Sequence, residues 1–166
     1  MSTAAHPIRV CFVCLGNICR SPTAEGVMKK LVHDAALSDH VLVESAGTGS
    51  YHVGEPADRR SAAEARKRGI VLDGMARQFV VSDFDRFDYV IAMDRRNHGF
   101  LKRSARGASD LAKLSLLRAF DPESTDEDVP DPYFEDNFDA VFDICHAGCS
   151  GLLAHIVREH ALEPRG

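Results

Sequence analysis

The residue types best suited to chemistry in this sequence lie between Cys14 and Arg20, which form a Cys-x5-Arg pattern. Gly16 and Asn17 inside the pattern tolerate tight turns, and Ser21-Pro22 directly after it favours the start of a helix, with the serine as N-cap. A turn that leads into a helix directs several free backbone N–H groups at one point, which makes an anion site. A cysteine in such surroundings, with an arginine close by, favours its thiolate, the nucleophilic form.

This arrangement fits a phosphoryl group. Backbone N–H groups match the three equatorial oxygens, Arg20 can bind two of them in a bidentate manner, and the Cys14 thiolate then lies in line with phosphorus. The pattern therefore predicts hydrolysis of a phosphomonoester through a cysteinyl-phosphate. The spacing alone is weak evidence, because chance supplies roughly half a match in a chain of this composition, and a tight turn around a buried cysteine is the alternative. A Walker-type phosphate loop would end in Gly-Lys-Ser/Thr, which is missing here.

Strands and helices alternate around this segment. Short β-rich apolar runs predict strands, and apolar residues at helical spacing predict helices, of which the last is weakened by Gly148 and Gly151. The alternation implies a single α/β domain over residues 1–166, with a four-stranded, parallel, twisted sheet, helices on both faces and a phosphate-binding loop after the first strand. The predicted strands cover 8–13, 41–45, 89–93 and 113–117, and the predicted helices begin at Ser21-Pro22, Asp58, Asp94 and Phe138.

A leaving oxyanion needs a proton, so a carboxylic acid must lie near the thiol. The predicted acidic loop over 121–136 supplies eight carboxylates, and composition does not choose among them. Asp121 and Asp131 each precede a proline, which holds the backbone extended and stiff. Asp131 also has Tyr133 and Phe134 beside it, aromatic surface on which a flat substrate could pack. We therefore favour Asp131 as the acid.

Composition restricts the partners and the location. The 166 residues include 45% apolar residues and carry a net charge of −5, which favours a globular core and argues against binding to nucleic acid or an anionic membrane. No unbroken apolar run approaches the ~18 residues of a membrane span, and no signal peptide is visible, so we expect a cytoplasmic protein. Five cysteines without an export signal indicate free thiols rather than a disulfide framework.

With these motifs in place, the sequence resembles the low-molecular-weight protein tyrosine phosphatase family. The segment 14–22 is similar to the family's signature at every defining position, and further similar segments follow in the same order along essentially the whole chain. The resemblance implies a four-stranded parallel sheet, phosphotyrosine-containing proteins as substrates, inorganic phosphate as product, and neither metal nor cofactor. We also expect a monomer with no nucleic-acid or membrane partner. The further similar segments are 45–48, 53–58, 76–78, 93–97 and 131–133.

The resemblance also implies the roles of individual residues in the reaction. Cys14 matches the nucleophile, Arg20 the phosphate-binding arginine, and Asp131 the general acid that later acts as the base. The rim of the crevice departs slightly from the family, which often has tryptophan or a second tyrosine there. The implied substrate-binding residues are Leu15, Gly16, Asn17, Ile18, Cys19, Ser21, Tyr51, Tyr133 and Phe134.

Four residues match groups that support the nucleophile in the family. Ser21 matches a hydroxyl that stabilises the thiolate, Asn17 holds the shape of the loop, and Ser45 matches a buried serine bonded to that asparagine. Cys19 matches a second thiol, close enough to trap an oxidised Cys14 as a reversible disulfide.

Gly74 is a departure from the family pattern. Many members have histidine at this position, bonded to the loop asparagine, which is Asn17 here. Either another group bonds Asn17 in this chain or the loop is less rigid. We expect a modest change in activity rather than a loss.

Two related activities are alternatives. Thiol-dependent arsenate reductases use a similar loop but need further redox cysteines in the middle of the chain, and residues 70–95 contain none. In phosphoarginine phosphatases the residue after the loop asparagine is typically threonine, whereas this chain has Ile18, which favours an aryl phosphate.

A metal-binding module is an alternative of a different class. The spacing of its candidate ligands serves a zinc site poorly, because most of them lie in the first predicted strand or on the apolar stripe of the last helix. His52, in the loop expected to line the crevice, is a further candidate for substrate contact. The candidate zinc ligands are Cys11, Cys14, Cys145, His146 and Cys149.

Overall fold

The computed structural model describes residues 6–164, in which a parallel sheet is connected by helices. The strands are β1 (Ile8–Cys14), β2 (Val41–Gly47), β3 (Tyr89–Ala92) and β4 (Leu114–Leu116). The helices are α1 (Arg20–Asp34), α2 (Arg59–Lys67), α3 (Asp83–Arg86), α4 (Arg95–Ser104), α5 (Ala108–Leu111), α6 (Pro132–Glu135) and α7 (Phe138–His160), and a 3-10 helix, Leu117–Phe120, follows β4.

The four strands lie in the order β2-β1-β3-β4, and each neighbouring pair is parallel. Along β1 and β2 the register runs from Ile8 opposite Val41 to Cys14 opposite Gly47. Cys14 is the last residue of β1, a central strand, so it lies at the carboxyl edge of the sheet, where open α/β sheets bind ligands. The predicted fold is confirmed, although β4 is shorter than the predicted run 113–117.

The side chains of β1 are buried on both faces of the sheet. Val10 and Phe12 belong to the core cluster that includes α1 and α7. Cys11 and Val13 point to the other face, where they pack in a second cluster with Leu101 of α4. Helices therefore cover both faces, as continuous apolar strands predict, and the loop after β1 leaves the sheet between two packed layers.

The first turn of α1 differs from the prediction that Ser21 is its N-cap. The helix begins at Arg20, and Cys19 at the N-cap position makes no side-chain capping hydrogen bond. The hydroxyl of Ser21 instead contacts Cys14 and Asn17, so it is not available to the helix end. The prediction was wrong because a contact with the preceding loop competes with the local capping bond.

The last helix, α7, continues for 23 residues despite Gly148 and Gly151. A Cβ atom at Gly151 would lie 1.8 Å from the carbonyl oxygen of Phe120, and one at Gly148 would lie 2.6 Å from the Leu117 side chain. The glycines thus allow the 3-10 helix to pack directly on α7, which offsets their low helix propensity. By length and hydropathy α7 could span a membrane, but its apolar stripe is buried in the core against α1 and the sheet.

The predicted acidic loop contains a helix that the sequence analysis missed. Asp131 is the N-cap of α6: its Oδ1 accepts a hydrogen bond from the backbone N–H of Tyr133 at 3.0 Å, and Pro132 follows at the first helical position. Asp followed by Pro is a helix-start signal, so the sequence did contain this information. The helices α3 and α5 were also missed, because a single turn is too short to show a periodic pattern.

Candidate active site

The loop between β1 and α1 is held in shape through its carbonyl groups. The carbonyl of Leu15 accepts a hydrogen bond from the backbone N–H of Gly49 at 3.0 Å. The carbonyl of Ile18 accepts one from the N–H of Asp58, at the start of α2, at 2.7 Å. Asn17 turns the chain with a φ of 57°, in the left-handed region that asparagine tolerates. Because the carbonyls face neighbouring segments, the loop presents N–H groups to its concave side, as an anion site requires.

Cys14 lies at the base of this loop and is only 3% exposed. Its Sγ lies 3.0 Å from the Oγ of Ser21 and accepts a hydrogen bond from the backbone N–H of Asn17 at 3.3 Å. The guanidinium group of Arg20 adds positive charge nearby. Hydrogen-bond donors and positive charge stabilise a thiolate relative to a thiol. These contacts place hydrogen-bond donors and a positive charge around the sulfur.

Arg20 is buried and is fixed on one side. Its Nη1 donates to Oδ2 of Asp94 at 2.5 Å and to the carbonyl of Val129 at 3.0 Å. Burial alone lowers the pKa of Arg20, but the negative charge of Cys14 and the hydrogen bond to Asp94 raise that pKa above the ordinary arginine value. Nη2 lies 3.7 Å from Oδ2 of Asp131. One edge of a permanently charged group is thus held next to the predicted acid.

Asp131 is the most exposed of the three predicted catalytic groups, with 42% of its side chain accessible. Oδ1 is fixed by the N–H of Tyr133, whereas Oδ2 faces Arg20 across the 3.7 Å gap. One carboxylate oxygen therefore sets the orientation of the side chain, and the other is available for proton transfer.

A crevice of about 190 Å³ opens above the loop and brings most of the predicted residues together. Tyr51 and Phe134 form its exposed rim. The ring of His52 also lies on the wall, close enough to Gly16 that a Cβ atom there would be 3.0 Å from the ring. The crevice is lined by Cys14, Leu15, Gly16, Ile18, Cys19, Arg20, Tyr51, His52, Asp131, Tyr133 and Phe134.

A family model described as low molecular weight phosphotyrosine protein phosphatase matches residues 9–162. The chain belongs to this family. The resemblance drawn from the sequence motifs is therefore confirmed, and it extends over nearly all of the described residues.

Individual relatives of the low-molecular-weight phosphatase family cover most of the chain. The low molecular weight protein-tyrosine-phosphatase of Streptomyces coelicolor is 47% identical over 152 residues, or 89% of this chain and 93% of the relative. The crystal structure of YfkJ from Bacillus subtilis matches with a TM-score of 0.89 and 41% identity, over 95% of this chain and 99% of that one. The structure of DARP, a drosophila arginine phosphatase, matches with a TM-score of 0.83 and 34% identity, over 89% and 97% of the two chains.

Three of the predicted residues, Asn17, Ser21 and Ser45, do not line the crevice. The Nδ2 of Asn17 donates to the Oγ of Ser21 and to the Oγ of Ser45, both at 2.9 Å. Ser45 in turn donates to Oε1 of Glu25 on α1 at 2.5 Å. This chain of hydrogen bonds ties the loop to β2 and α1, so the three residues shape the site without lining it.

The question raised by Gly74 is answered by the backbone of Arg77. The N–H of Arg77 donates to Oδ1 of Asn17 at 3.0 Å, so a group other than a histidine bonds the loop asparagine. Gly74 itself lines a separate cavity of about 160 Å³ behind the loop, and a Cβ atom there would meet nothing within 4 Å. The side-chain oxygen of the loop asparagine therefore has a hydrogen-bond partner in this chain without the family histidine.

The other thiols differ sharply from Cys14 in their surroundings. Burial, together with the nearby negative charge of Asp58, raises the pKa of Cys19 to about 12, although Cys19 also borders the crevice. Burial likewise raises the pKa of Cys145 to about 12 and raises those of Cys11 and Cys149 well above the ordinary thiol value. These four sulfurs remain protonated thiols at neutral pH.

The candidate zinc ligands do not assemble into a site. Within residues 6–164, no three His, Cys, Asp or Glu side chains converge so that they could hold a metal ion. Cys11 points into the core on one face of the sheet, whereas Cys145 and Cys149 lie in the core on the other face.

Sequence reasoning missed the role of Asp94 in this site. The sequence indicates only that a helix begins at Asp94, which is correct: Asp94 is the N-cap of α4, and its Oδ1 accepts a hydrogen bond from the N–H of Asn97 at 2.7 Å. Its other oxygen is the counter-ion of Arg20. A buried arginine requires a carboxylate partner, but the sequence does not show which of the many carboxylates reaches it.

Proposed function

We propose that this phosphatase hydrolyses phosphotyrosine in proteins through a cysteinyl-phosphate on Cys14. The observation that carries the proposal is the joint placement of Cys14, Arg20 and Asp131 on one crevice of about 190 Å³. Cys14 lies under the loop N–H groups, Arg20 is fixed beside it, and Asp131 is the exposed carboxylate next to the arginine. These are the nucleophile, the phosphate ligand and the proton donor that phosphoryl transfer to a thiol needs.

In the first step the Cys14 thiolate attacks phosphorus, and an S–P bond forms as the P–O bond to the tyrosine ring breaks. Asp131, in its protonated form, transfers its proton to the departing phenolate oxygen, which leaves as tyrosine. The loop N–H groups and Nη2 of Arg20 bind the equatorial oxygens as negative charge redistributes. Ser21 supports the thiolate through its 3.0 Å contact with Sγ.

In the second step water attacks phosphorus and the S–P bond breaks. Asp131, now a carboxylate, accepts a proton from the water, inorganic phosphate leaves, and Cys14 returns to the thiolate. The same oxygen of Asp131 serves both steps. The phenolate leaves phosphorus on the side opposite the sulfur, and the water attacks phosphorus from that same side.

The aromatic residues at the rim of the crevice favour a substrate with an aromatic ring. Tyr51 and Phe134 are the most exposed aromatic residues beside the crevice, at 75% and 87%, and Tyr133 also lines the crevice. Flat side chains on the rim pack well against a phenyl ring. A phosphoserine, which is shorter and lacks a ring, would neither reach the loop as readily nor make these contacts.

Phosphoarginine is the second candidate substrate, because DARP, a drosophila arginine phosphatase, shares the fold and 34% of the aligned sequence. Ile18 is the residue of this chain that argues against it. Its side chain is buried with Cys19, Ala76 and Phe138 and lines the crevice. An apolar wall favours a phenyl ring over a charged guanidinium group.

Further properties belong to the same proposal. We expect residues 1–166 to form one cytoplasmic, monomeric catalytic domain that uses no cofactor and binds neither nucleic acid nor membrane, in line with its net charge of −5. Peroxide would oxidise the Cys14 thiolate to a sulfenic acid, and the Cys19 thiol would then displace water to form a disulfide. Both cysteines line the crevice, which supports this protective reaction.

The proposal is tested by activity on three phosphorylated substrates with a chelator present. We expect phosphotyrosine peptides to be hydrolysed with a kcat/KM at least about a hundredfold above phosphoserine peptides and phosphoarginine, and Cys14→Ser to abolish the activity. A preference for phosphoarginine would assign the chain to that reaction instead. Full activity of Cys14→Ser would contradict the cysteinyl mechanism.

A further inference from the structure

We propose that Arg60 is a positioning residue that holds Asp131 over the phosphate-binding loop, an inference that rests on the proposed role of Asp131 as the proton donor. Arg60 lies in the first turn of α2 and does not line the crevice. It acts instead as a brace between the loop and α6, the short helix that Asp131 begins.

One end of the brace is anchored to the loop through Asp58. The backbone N–H of Asp58 donates to the carbonyl of Ile18 at 2.7 Å, so the start of α2 is bonded directly to the loop. The carboxylate of Asp58 accepts the backbone N–H of Arg60 at 2.8 Å and both Nε and Nη2 of its guanidinium group at 3.2 Å. This bidentate pair fixes the plane of the guanidinium group.

The other end of the brace lies against the aromatic residues around α6. The guanidinium carbon of Arg60 is 5.3 Å from the centre of the Tyr133 ring and 4.7 Å from that of Phe138 at the start of α7. Tyr133 is the residue whose backbone N–H binds Oδ1 of Asp131 at 3.0 Å. The contact therefore reaches the acid through one intervening residue.

Apart from the packing of the buried Pro132, the helix α6 has few other attachments that could do this. Within residues 6–164, no ion pair or side-chain hydrogen bond joins Pro132–Glu135 to another element, and Phe134 is 87% exposed. Arg60 supplies the cation–π contact to this helix. Without it, Asp131 would keep its chemistry but lose part of its fixed distance to the phosphate.

A displaced Asp131 should slow the transfer of its proton to the leaving oxygen. A proton donor must lie within hydrogen-bond reach of the leaving oxygen, and a displacement of about 1 Å costs as much as a hundredfold in rate. The loss should depend on how much the leaving group needs the proton. An acidic phenol leaves without help, whereas tyrosine or phenol does not.

The test measures kcat/KM, which reports formation of the cysteinyl-phosphate, for dinitrophenyl, nitrophenyl and phenyl phosphates. The variants are Arg60→Met, which keeps the approximate length of the side chain but removes the guanidinium group, and Arg60→Lys, which keeps the positive charge without the guanidinium geometry. Arg59→Met is the matched control, since Arg59 is the exposed neighbouring arginine on the same turn. Asp131→Asn is the reference for complete loss of the acid, and thermal unfolding confirms that each variant is folded.

We expect Arg60→Met to lower kcat/KM about tenfold on phenyl phosphate and less than about twofold on dinitrophenyl phosphate, with Arg60→Lys in between and Arg59→Met unchanged. Asp131→Asn should show the same dependence more steeply. Equal losses on all three substrates, or no loss, in Arg60→Met beside a leaving-group-dependent Asp131→Asn would overturn the positioning role alone. An Asp131→Asn variant without that dependence would overturn both this inference and the proposed role of Asp131.

Discussion

Nη1 of Arg20 donates to Oδ2 of Asp94 at 2.5 Å, and the two residues lie 74 positions apart in the chain. The same carboxylate caps α4 by accepting the N–H of Asn97 through Oδ1. One side chain just after β3 thus fixes both Arg20, the proposed phosphate-binding arginine, and the start of a helix. The orientation of Arg20 is a property of the sheet edge and not only of its own loop.

We expect Asp94→Asn to lower kcat/KM on an aryl phosphate by at least about tenfold. Asparagine still caps α4, but Arg20 loses its buried counter-ion, and breaking such a pair costs about 3 kcal/mol. Steady-state kinetics and urea unfolding measure the two effects. Asp128→Asn is the control, because Asp128 pairs with the exposed Arg95 and such pairs contribute little. If both variants retained full activity, Asp94 would have no part in orienting the arginine.

Iodoacetate at about pH 6 should modify one thiol, Cys14, and inorganic phosphate should slow that modification. Cys19 borders the same crevice, but with a pKa raised to about 12 it stays protonated and should react much more slowly with iodoacetate. Mass spectrometry of tryptic peptides locates the label. Labelling of Cys19 at a rate similar to that of Cys14 would show that the two thiols do not differ as their surroundings indicate.

Substitutions at Gly74 and at Asn17 should differ sharply in their effects on turnover and stability. Gly74→His should leave turnover within about twofold and the free energy of unfolding within about 0.5 kcal/mol, because the position is open and Asn17 is already bonded by Arg77. Asn17→Ala removes three hydrogen bonds and places alanine at a positive φ, so it should destabilise by about 2 kcal/mol or more and reduce activity sharply. A large gain in turnover from Gly74→His would mean that the loop is not rigid as it stands.

The contribution of Asp110 to stability should depend on pH. Its side-chain and backbone hydrogen bonds with Arg106 lower the pKa of Asp110 to about 2. A lowered pKa gives stability that is complete above the unfolded value of 3.8 and is lost as the pH falls through about 2. Asp110→Asn should therefore be less stable than the parent at pH 7 in urea unfolding, with a gap that narrows between about pH 4 and 2. A gap that stays constant over that window would assign the loss to packing and not to charge.

The fold and the loop after β1 could be predicted because their information is local. The β-rich run that ends at Cys14, the glycine and asparagine after it and the helical spacing from Ala24 onward lie within a few turns of chain. Asp131 was favoured for a similar reason, since its proline and aromatic neighbours follow directly in the sequence. Each of these features depends on backbone preferences or periodicity that a short segment carries by itself.

The contacts that complete the site join distant segments and leave no local trace. Arg77 reaches Asn17 across 60 positions through a backbone N–H, which any residue except proline could supply. Asp94 is one acidic residue among many, and its partner is set by the strand order. Ser21 shows the opposite failure, because a valid local capping signal was overridden by the thiol beside it. Arg60 is flanked by a second arginine, Arg59, and nothing in the local sequence distinguishes the two.

The central claim is that phosphorus is transferred to the sulfur of Cys14. The most direct test mixes Asp131→Asn, in which hydrolysis of the intermediate lacks its base, with dinitrophenyl phosphate, quenches the reaction in acid within milliseconds to seconds and analyses the peptides by mass spectrometry. We expect phosphate on the peptide that contains Cys14, formed in a burst with one equivalent of dinitrophenol and absent in Cys14→Ser. A burst with phosphate on another residue, or turnover with no covalent adduct at any time, would contradict the account.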